Sequence, residues 1–290
     1  VERGAMLGWE LTRARRMFVD LPALASGETA RAAAQALLRA LEPLRGAEAG
    51  TIDPAAAALG LDRWMEEAGV DVYFKSWPVA LRTAPDPAAN GLRTCGLNAA
   101  AKSGRFALAA PVVVDTDAAA RISRQWLTAA TQPAGEERAV HVMLWSGTTL
   151  DAPTTVRLEL GELSCEVRLR PTTWPGEAHA DVELRAQDDG SGRACTDEAA
   201  FAPHAFAIAE ALRQACPPLA DGFVSHLGDA SWGAPPFALD PVGSDLPPGF
   251  VPAGPWLAGA GIPYDDDHAA IGELLAAGER AARRALAFAP

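Results

Sequence analysis

The pattern of apolar residues changes character partway along this 290-residue chain, and that change restricts its architecture more than any other feature. Pro111-Val112-Val113-Val114-Asp115 is a continuous apolar run, as expected of a strand buried on both faces of a parallel sheet. Further along, Val156, Leu158 and Leu160 alternate with Arg157 and Glu159, which leaves one face wet and buries the other. Segments 139–146, 163–170 and 179–186 have the same strand character and complete an antiparallel sheet. The expected fold class is therefore α/β with an inserted, mostly antiparallel β (α+β) part. Residues 1–127 and 255–290 form the α/β part, and residues 128–254 form the insertion.

The remaining elements follow from periodicity and breakers. Residues 29–45 and 54–68 carry apolar residues at helical spacing, with Pro54 in the first turn of the second helix and Gly69 closing it. Val70–Phe74 is expected to be a short buried strand, giving helix, glycine and strand in the order of a β-α-β crossover. Three short strands, Val79–Arg82, Leu92–Asn98 and Phe106–Ala109, are separated by turn-rich breaks that include Asn90-Gly91. A helix is expected at 118–127, another at 197–215, an irregular stretch at 217–254, a short strand at 255–259 and a long helix at 267–288.

Composition excludes several functions. Hydrophobic content of 49% with 21% charged residues is that of a globular chain. A net charge of −12 argues against nucleic acid or an anionic membrane as partner, because both need a basic face. No apolar run approaches the ~20 residues of a membrane span. Cys95, Cys165, Cys195 and Cys216 show no CxxC spacing, so a zinc knuckle or redox pair is not expected, and reduced cysteines in a cytoplasmic protein are. GxSxG, HExxH and P-loop motifs are absent, which removes the commonest hydrolase, metalloprotease and NTPase chemistries. Position 1 is Val rather than Met, and no glycine-rich strand–turn–helix lies upstream of it, so a processed or truncated chain is expected.

Three places could meet a ligand. Glu2 follows what looks like the end of a strand, where a dinucleotide fold puts the carboxylate that accepts from ribose hydroxyls; a solvated chain end is the alternative. Asp115-Thr116-Asp117 ends the apolar run, where ligands of open parallel sheets bind, and such short polar residues also cap helices. Gly259-Ala260-Gly261 precedes the last helix, and small residues there let backbone approach a ligand closely. Asp265, Asp266 and Asp267 are read as helix capping in preference to metal ligation, and no metal is expected. Of His141, His179, His204, His226 and His268, the first and second are expected to be structural or at the surface. Only His226 is placed near a pocket, and no catalytic residue is assigned.

In order along the chain, several stretches resemble the FAD-dependent oxidoreductases of the FAD-oxidored type. They are Val1-Glu2-Arg3, Leu7-Gly8-Trp9-Glu10-Leu11-Thr12, Arg16–Asp20, Leu61–Val70, Pro78-Val79, Asn98–Arg105, Val113–Asp117 and Gly259–Ala285. The resemblance covers about half the chain, at its two ends. It implies an incomplete Rossmann-like FAD-binding domain in residues 1–127 and 255–290, with FAD as cofactor. Residues 128–254 would be a substrate or cap domain over the isoalloxazine. Position by position it implies Glu2 at the adenosine ribose, Leu7, Gly8 and Thr12 near the flavin, and Pro78 and Val79 at adenine. It also implies Thr116 and Asp117 near the pyrophosphate, and Gly259 and Gly261 at the turn before the closing helix. The chain departs from the family in two ways: the D-A-T-G-D strand end is shortened to Asp115-Thr116-Asp117, and the glycine-rich first turn is missing. The implied function is oxidation or reduction of a small-molecule substrate. A partner chain or a preceding N-terminal segment would supply the missing turn. The alternative is a non-catalytic relative that acts as a binding or partner subunit.

Overall fold

The computed structural model describes residues 1–2, 6–28, 30–48, 50–87, 91–117, 119–130, 140–161, 163–186, 198–228, 232–233, 237–241 and 245–288. Arg3-Gly4, Thr29, Asn90, Ala118, Ala139, Cys195 and Asp197, which carry parts of the expectations above, lie outside the described residues. In chain order the elements begin with α1 (Trp9–Thr12), α2 (Leu21–Ser26), α3 (Arg31–Leu41), β1 (Ala47–Glu48), β2 (Thr51–Ile52) and α4 (Pro54–Glu67). They continue through β3 (Ser76–Asp86), β4 (Gly91–Ala101), β5 (Gly104–Ala109), β6 (Val113–Asp115), β7 (Thr128–Ala129), β8 (Val140–Ser146) and β9 (Thr154–Leu160). The last are β10 (Leu163–Pro171), β11 (Glu177–Ala186), α5 (Glu198–Ala215), β12 (Phe223–Leu227), β13 (Leu239–Asp240), β14 (Phe250–Pro252) and α6 (Asp267–Leu286). The fold is thus mixed helix and sheet with mostly antiparallel pairing.

Two compact units divide the chain: Val1–Trp9, Phe18–Ala134 and Pro235–Pro290 in one, Glu10–Met17 and Gly135–Ala234 in the other. In the first unit β3, β4 and β5 form an antiparallel meander, and β6 pairs with β14 in parallel. Helices α2 and α4 are started by Asp20 and Asp53, whose carboxylates accept from Ala23 N and Ala56 N. Helix α3 begins after Ala30, which has no side-chain cap, and the Glu279 carboxylate on α6 accepts from its Ala33 N at 2.8 Å.

In the second unit the strand order is β12-β8-β11-β10-β9, all antiparallel. One face packs on α5: Met143, Trp145, Leu158, Val167, Leu169, Ala180, Val182 and Leu184 meet Phe201, Ile208 and Leu212 in one apolar core. On β9 the expected alternation is present, with Leu158 buried while Arg157 and Glu159 are exposed.

Four expected elements differ. The stretch at 217–254, expected to be irregular, contains β12, β13 and β14, which pair with β8, β7 and β6. Val70–Phe74 forms no strand: Val70, Tyr73 and Phe74 are exposed, and Lys75 turns the chain at φ 50 into β3. This stretch bonds instead to Glu2, which donates from N to Tyr73 O and accepts at O from Ser76 N. The helix expected at 118–127 is reduced to a 3-10 turn at Ser123–Gln125. Ala120 sits at φ 50, and the Asp115 carboxylate takes the Ser123 N–H, so side-chain bonding displaces the helical ladder. The closing strand is Phe250–Pro252 rather than 255–259, because Gly254-Pro255 begins a turn that folds Trp256 back toward the sheet end.

Candidate cofactor site

The carboxyl ends of β6 and β14 lie side by side in the first unit, and the loops that leave them are tied together. Pro252 is the register partner of Asp115, and Ala253 N donates to Asp115 O at 2.9 Å. The Asp115 side chain is 5% exposed. One of its oxygens accepts from Asp117 N at 3.0 Å, and the other accepts from Ser123 N at 2.9 Å and Ser123 Oγ at 2.6 Å. Burial pushes this carboxyl above the ordinary carboxylate range, against the lowering effect of the Ser123 and Asp117 bonds.

Asp117 caps the turn beyond. Its carboxylate accepts from Arg121 N at 3.2 Å and pairs with the Arg121 guanidinium at 2.9 Å. Its carbonyl accepts from the Trp256 indole N–H at 2.7 Å. Trp256 is buried among Ala120, Leu127 and Leu239. It folds over Gly254, where an added Cβ would lie 2.1 Å from the indole nitrogen. The chain then reaches Gly259 at φ 78 and Gly261 at φ 60. Both are exposed, and a Cβ at Gly259 would meet nothing within 4 Å. Asp266 caps α6 by accepting from Ala269 N, so the capping reading of the acidic triplet holds at that residue. Among the described residues no group of three or more His, Cys, Asp or Glu could hold a metal.

Of the residues singled out from sequence, Asp117 is thus joined to the loop of Gly259 and Gly261 through Trp256, and Thr116 lies between Asp115 and Asp117 at the strand end. Pro78 and Val79 are on β3 beside a register shift, and Gln125 Nε2 donates to Val79 O at 3.0 Å. Gly8, at φ 61, faces Leu61 of α4, where a Cβ would fall 2.3 Å from Leu61 Cδ1. Leu7 and Gly8 belong to the first unit and Thr12 to the second. Glu2 lies against Tyr73 and Ser76. His226 is exposed on the edge strand β12, and His268 Nδ1 accepts from Asp20 N.

For a flavin dinucleotide these residues fit unequally. The Gly259–Gly261 turn leaves the open space that a close backbone approach needs. The strand end does not fit as a pyrophosphate cradle. The N–H groups of Asp117, Arg121 and Ser123 are already donated to carboxylates, and those carboxylates would repel phosphate. Asp115 and Asp117 stand out in sequence, but Ser123, Arg121 and Trp256 give no sequence signal of a role there.

A second cluster was not assembled by sequence reasoning, which singled out only His179 and expected it to be structural or at the surface; it is fully buried. In the second unit, β11 turns His179, Asp181 and Glu183 to the sheet face opposite α5. Arg16, 2% exposed, pairs with Asp181 at 2.6 Å, and Arg170 pairs with the other Asp181 oxygen. Arg16 also lies over the Trp232 ring, and the His179 Nε2 bonds Arg15 O at 3.1 Å. Burial pushes the Asp181 carboxyl up, but Arg16, His179 and Arg170 outweigh it and hold the carboxyl well below the usual range. Burial holds the His179 imidazole down at about 3, with Arg16 and Arg170 adding to the effect and Asp181 opposing it.

No family model matches the chain, and no curated protein matches it in sequence. Solved structures do. BexE, studied for oxidation during BE-7585A biosynthesis, is similar at a TM-score of 0.51 and 15% identity, covering 88% of this chain and 50% of that one. The myxobacterial chondrochloren halogenase CndH, described as a new variant of FAD-dependent halogenases, is similar at a TM-score of 0.50 and 14% identity, covering 83% and 56%. At this identity the likeness is one of fold. The chain spans about half the length of these proteins.

Proposed function

We propose that this chain is part of an FAD-dependent oxidoreductase acting on a small-molecule substrate. The observation that carries the reading is the fold it shares with CndH, whose own description is FAD-dependent, and the ordered resemblance along both ends of the sequence agrees with it. In this reading residues 1–127 and 255–290, with β13 and β14 added and Glu10–Met17 left out, are an incomplete Rossmann-like FAD-binding domain, and the rest of residues 128–254 selects the substrate. Glu2 accepts from the adenosine ribose, Pro78 and Val79 border adenine, and Leu7, Gly8, Gly259 and Gly261 approach the flavin. In this reading a glycine-rich strand–turn–helix supplied by a partner chain or an added segment holds the pyrophosphate. The flavin carries the redox chemistry, and these residues bind and orient it.

Equilibrium dialysis with FAD tests the reading. The 290-residue chain is expected to bind weakly or not at all, and the chain extended by a glycine-rich first unit is expected to bind and show flavin absorbance. Glu2→Ala in the extended form should weaken binding by about 1.5–3 kcal/mol, the range for hydrogen bonds to a charged group. An extended protein that stays colourless overturns the proposal.

One observation favours a second reading, a non-catalytic relative that serves as a binding or partner subunit. The carboxylates of Asp115 and Asp117 are spent inside their own loop, as they would be where a phosphate contact had been lost.

A further inference from the structure

We infer that Asp115 is a positioning residue, which holds the Gly259–Gly261 turn in place through the loop that follows it and through Trp256. The inference rests on the flavin reading only for what the turn would contact.

The connection can be followed bond by bond. The Asp115 carboxylate gathers Asp117 N, Ser123 N and Ser123 Oγ, which fixes both ends of the 117–123 loop. That sets the direction of the Asp117 carbonyl, which receives the Trp256 indole N–H at 2.7 Å. Trp256 O accepts from Leu239 N at 2.9 Å, and Leu239 O accepts from Ala258 N at 2.9 Å, so the residue before Gly259 is held at its amide. Ala260 N, between the two glycines, donates to Leu257 O at 3.0 Å. Gly259 faces open space and both glycines are exposed, so side-chain packing does not hold the turn; the bonded path does. Gly254 is part of the device, since any Cβ there would occupy the position of the indole. Three donors around one buried carboxylate, with no cation among them, organise a loop.

The test uses protein labelled with nitrogen-15 at tryptophan and glycine, with the Trp256 indole signal assigned by its loss in Trp256→Phe. Asp115→Asn places an amide N–H₂ opposite the Ser123 donors. Hydrogen exchange of the Trp256 indole should then speed up by at least about tenfold, and the Gly259 and Gly261 amide signals should move with it. The buried Trp145 indole, in the other unit, should keep its protection, a contrast that general destabilisation would erase. Ser123→Ala should act in the same direction but more weakly, and it decides the matter if Asp115→Asn does not fold. Unchanged Trp256 protection in the folded variants, or equal loss at Trp145, overturns the inference. In the flavin-binding form, Asp115→Asn and Trp256→Phe should weaken FAD binding by a similar factor, and the double variant should be no worse. Wild-type FAD affinity in Asp115→Asn with displaced glycine signals would support the role of Asp115 and overturn the contact between the turn and the flavin. A wild type that binds no FAD defeats the proposed function, while the exchange measurement still decides the role of Asp115.

Discussion

Asp115 in the first unit and Asp181 in the second are both 5% exposed, yet their carboxyls are shifted in opposite directions. Asp115 is surrounded by neutral donors, two backbone N–H groups and a hydroxyl, and burial wins. Asp181 is gripped by two guanidinium groups, and charge wins. Burial alone therefore says little about a carboxylate; the charge of its donors decides its state. The difference has a structural counterpart. The Asp115 carboxylate bonds only residues within eight positions of itself, whereas the Asp181 carboxylate reaches across 165 residues to Arg16, which lies with Glu10–Met17 in the second unit.

The sharpest way to break the comparison is to remove the distant cation. Arg16→Ala leaves Asp181 buried with Arg170 alone, and removal of one partner of a buried pair costs about 3–5 kcal/mol. Urea unfolding monitored in the second unit should show that loss. Arg16→Met with Asp181→Leu should recover much of it, because a matched apolar pair replaces a charge pair at little cost. Equal losses in the single and double variants would mean the pairing is not the source.

Next in size is Gly254→Ala, which tests the local device of the first unit. The added Cβ falls 2.1 Å from the Trp256 indole nitrogen and must displace a side chain that is 1% exposed. Overpacking of that kind costs about 1–3 kcal/mol. Gly278→Ala on α6, where a Cβ meets nothing within 4 Å, is the control and should stabilise slightly. Equal midpoints for the two variants would show that Trp256 does not need its place over Gly254.

The opposite shifts also separate the two regions by pH. The His179 imidazole titrates at about 3 in the fold, against an ordinary 6.5. Between those values the unfolded chain binds a proton that the fold does not. Stability therefore falls as pH drops through that window, by up to about 1.4 kcal/mol per pH unit, and the contribution is complete above 6.5. Asp181 acts in the same sense at lower pH, since its stabilisation is present above the ordinary carboxylate value and is lost as pH falls below it. Asp115 acts in the opposite sense. Its carboxyl is raised, so the fold binds its proton more tightly and loses stability as pH rises past the ordinary value. Unfolding midpoints measured from about pH 7 to about pH 4.5 should fall in the wild type and flatten in His179→Gln, which keeps a donor for Arg15 O. An unchanged slope would show that His179 is protonated in the fold.

These two regions also mark how far the sequence could be read. The strands of the second unit were legible because alternation reports burial residue by residue, as Val156, Leu158 and Leu160 do on β9. The long helix at 267–286 was legible from its period, and the strand ending at Asp115 from its continuous apolar run. Val70–Phe74 misled because its four apolar or aromatic positions carry no record of whether a partner strand exists. Residues 118–127 misled because helix propensity was overridden by a carboxylate that claims Ser123 N. Nothing in the sequence could pair Arg16 with Asp181 or fold Trp256 onto Asp117, since such bonds join distant segments through tertiary structure.

A third carboxylate, in water, sets the lower end of the comparison. Asp266 is exposed, and its Oδ1 accepts from Ala269 N at 3.1 Å at the start of α6. With solvent to screen it and a single neutral donor to satisfy, it should contribute only the worth of a cap. Asp266→Ala should cost about 1 kcal/mol, and Asp266→Asn, which caps equally well, almost nothing. The preceding Asp265 is exposed, and Asp265→Asn should leave the unfolding midpoint within about 0.5 kcal/mol of wild type. The same three proteins distinguish capping from metal ligation at Asp265, Asp266 and Asp267. A cap depends on one acceptor oxygen and is indifferent to chelators, whereas a metal site would lose stability on chelation and would be damaged by either Asp→Asn change. Thermal unfolding with and without a chelator should therefore give coincident curves for wild type and Asp266→Asn, with Asp266→Ala alone shifted down. A chelator-dependent shift in the wild type would mean that this carboxylate, unlike Asp115 and Asp181, is kept for a ligand.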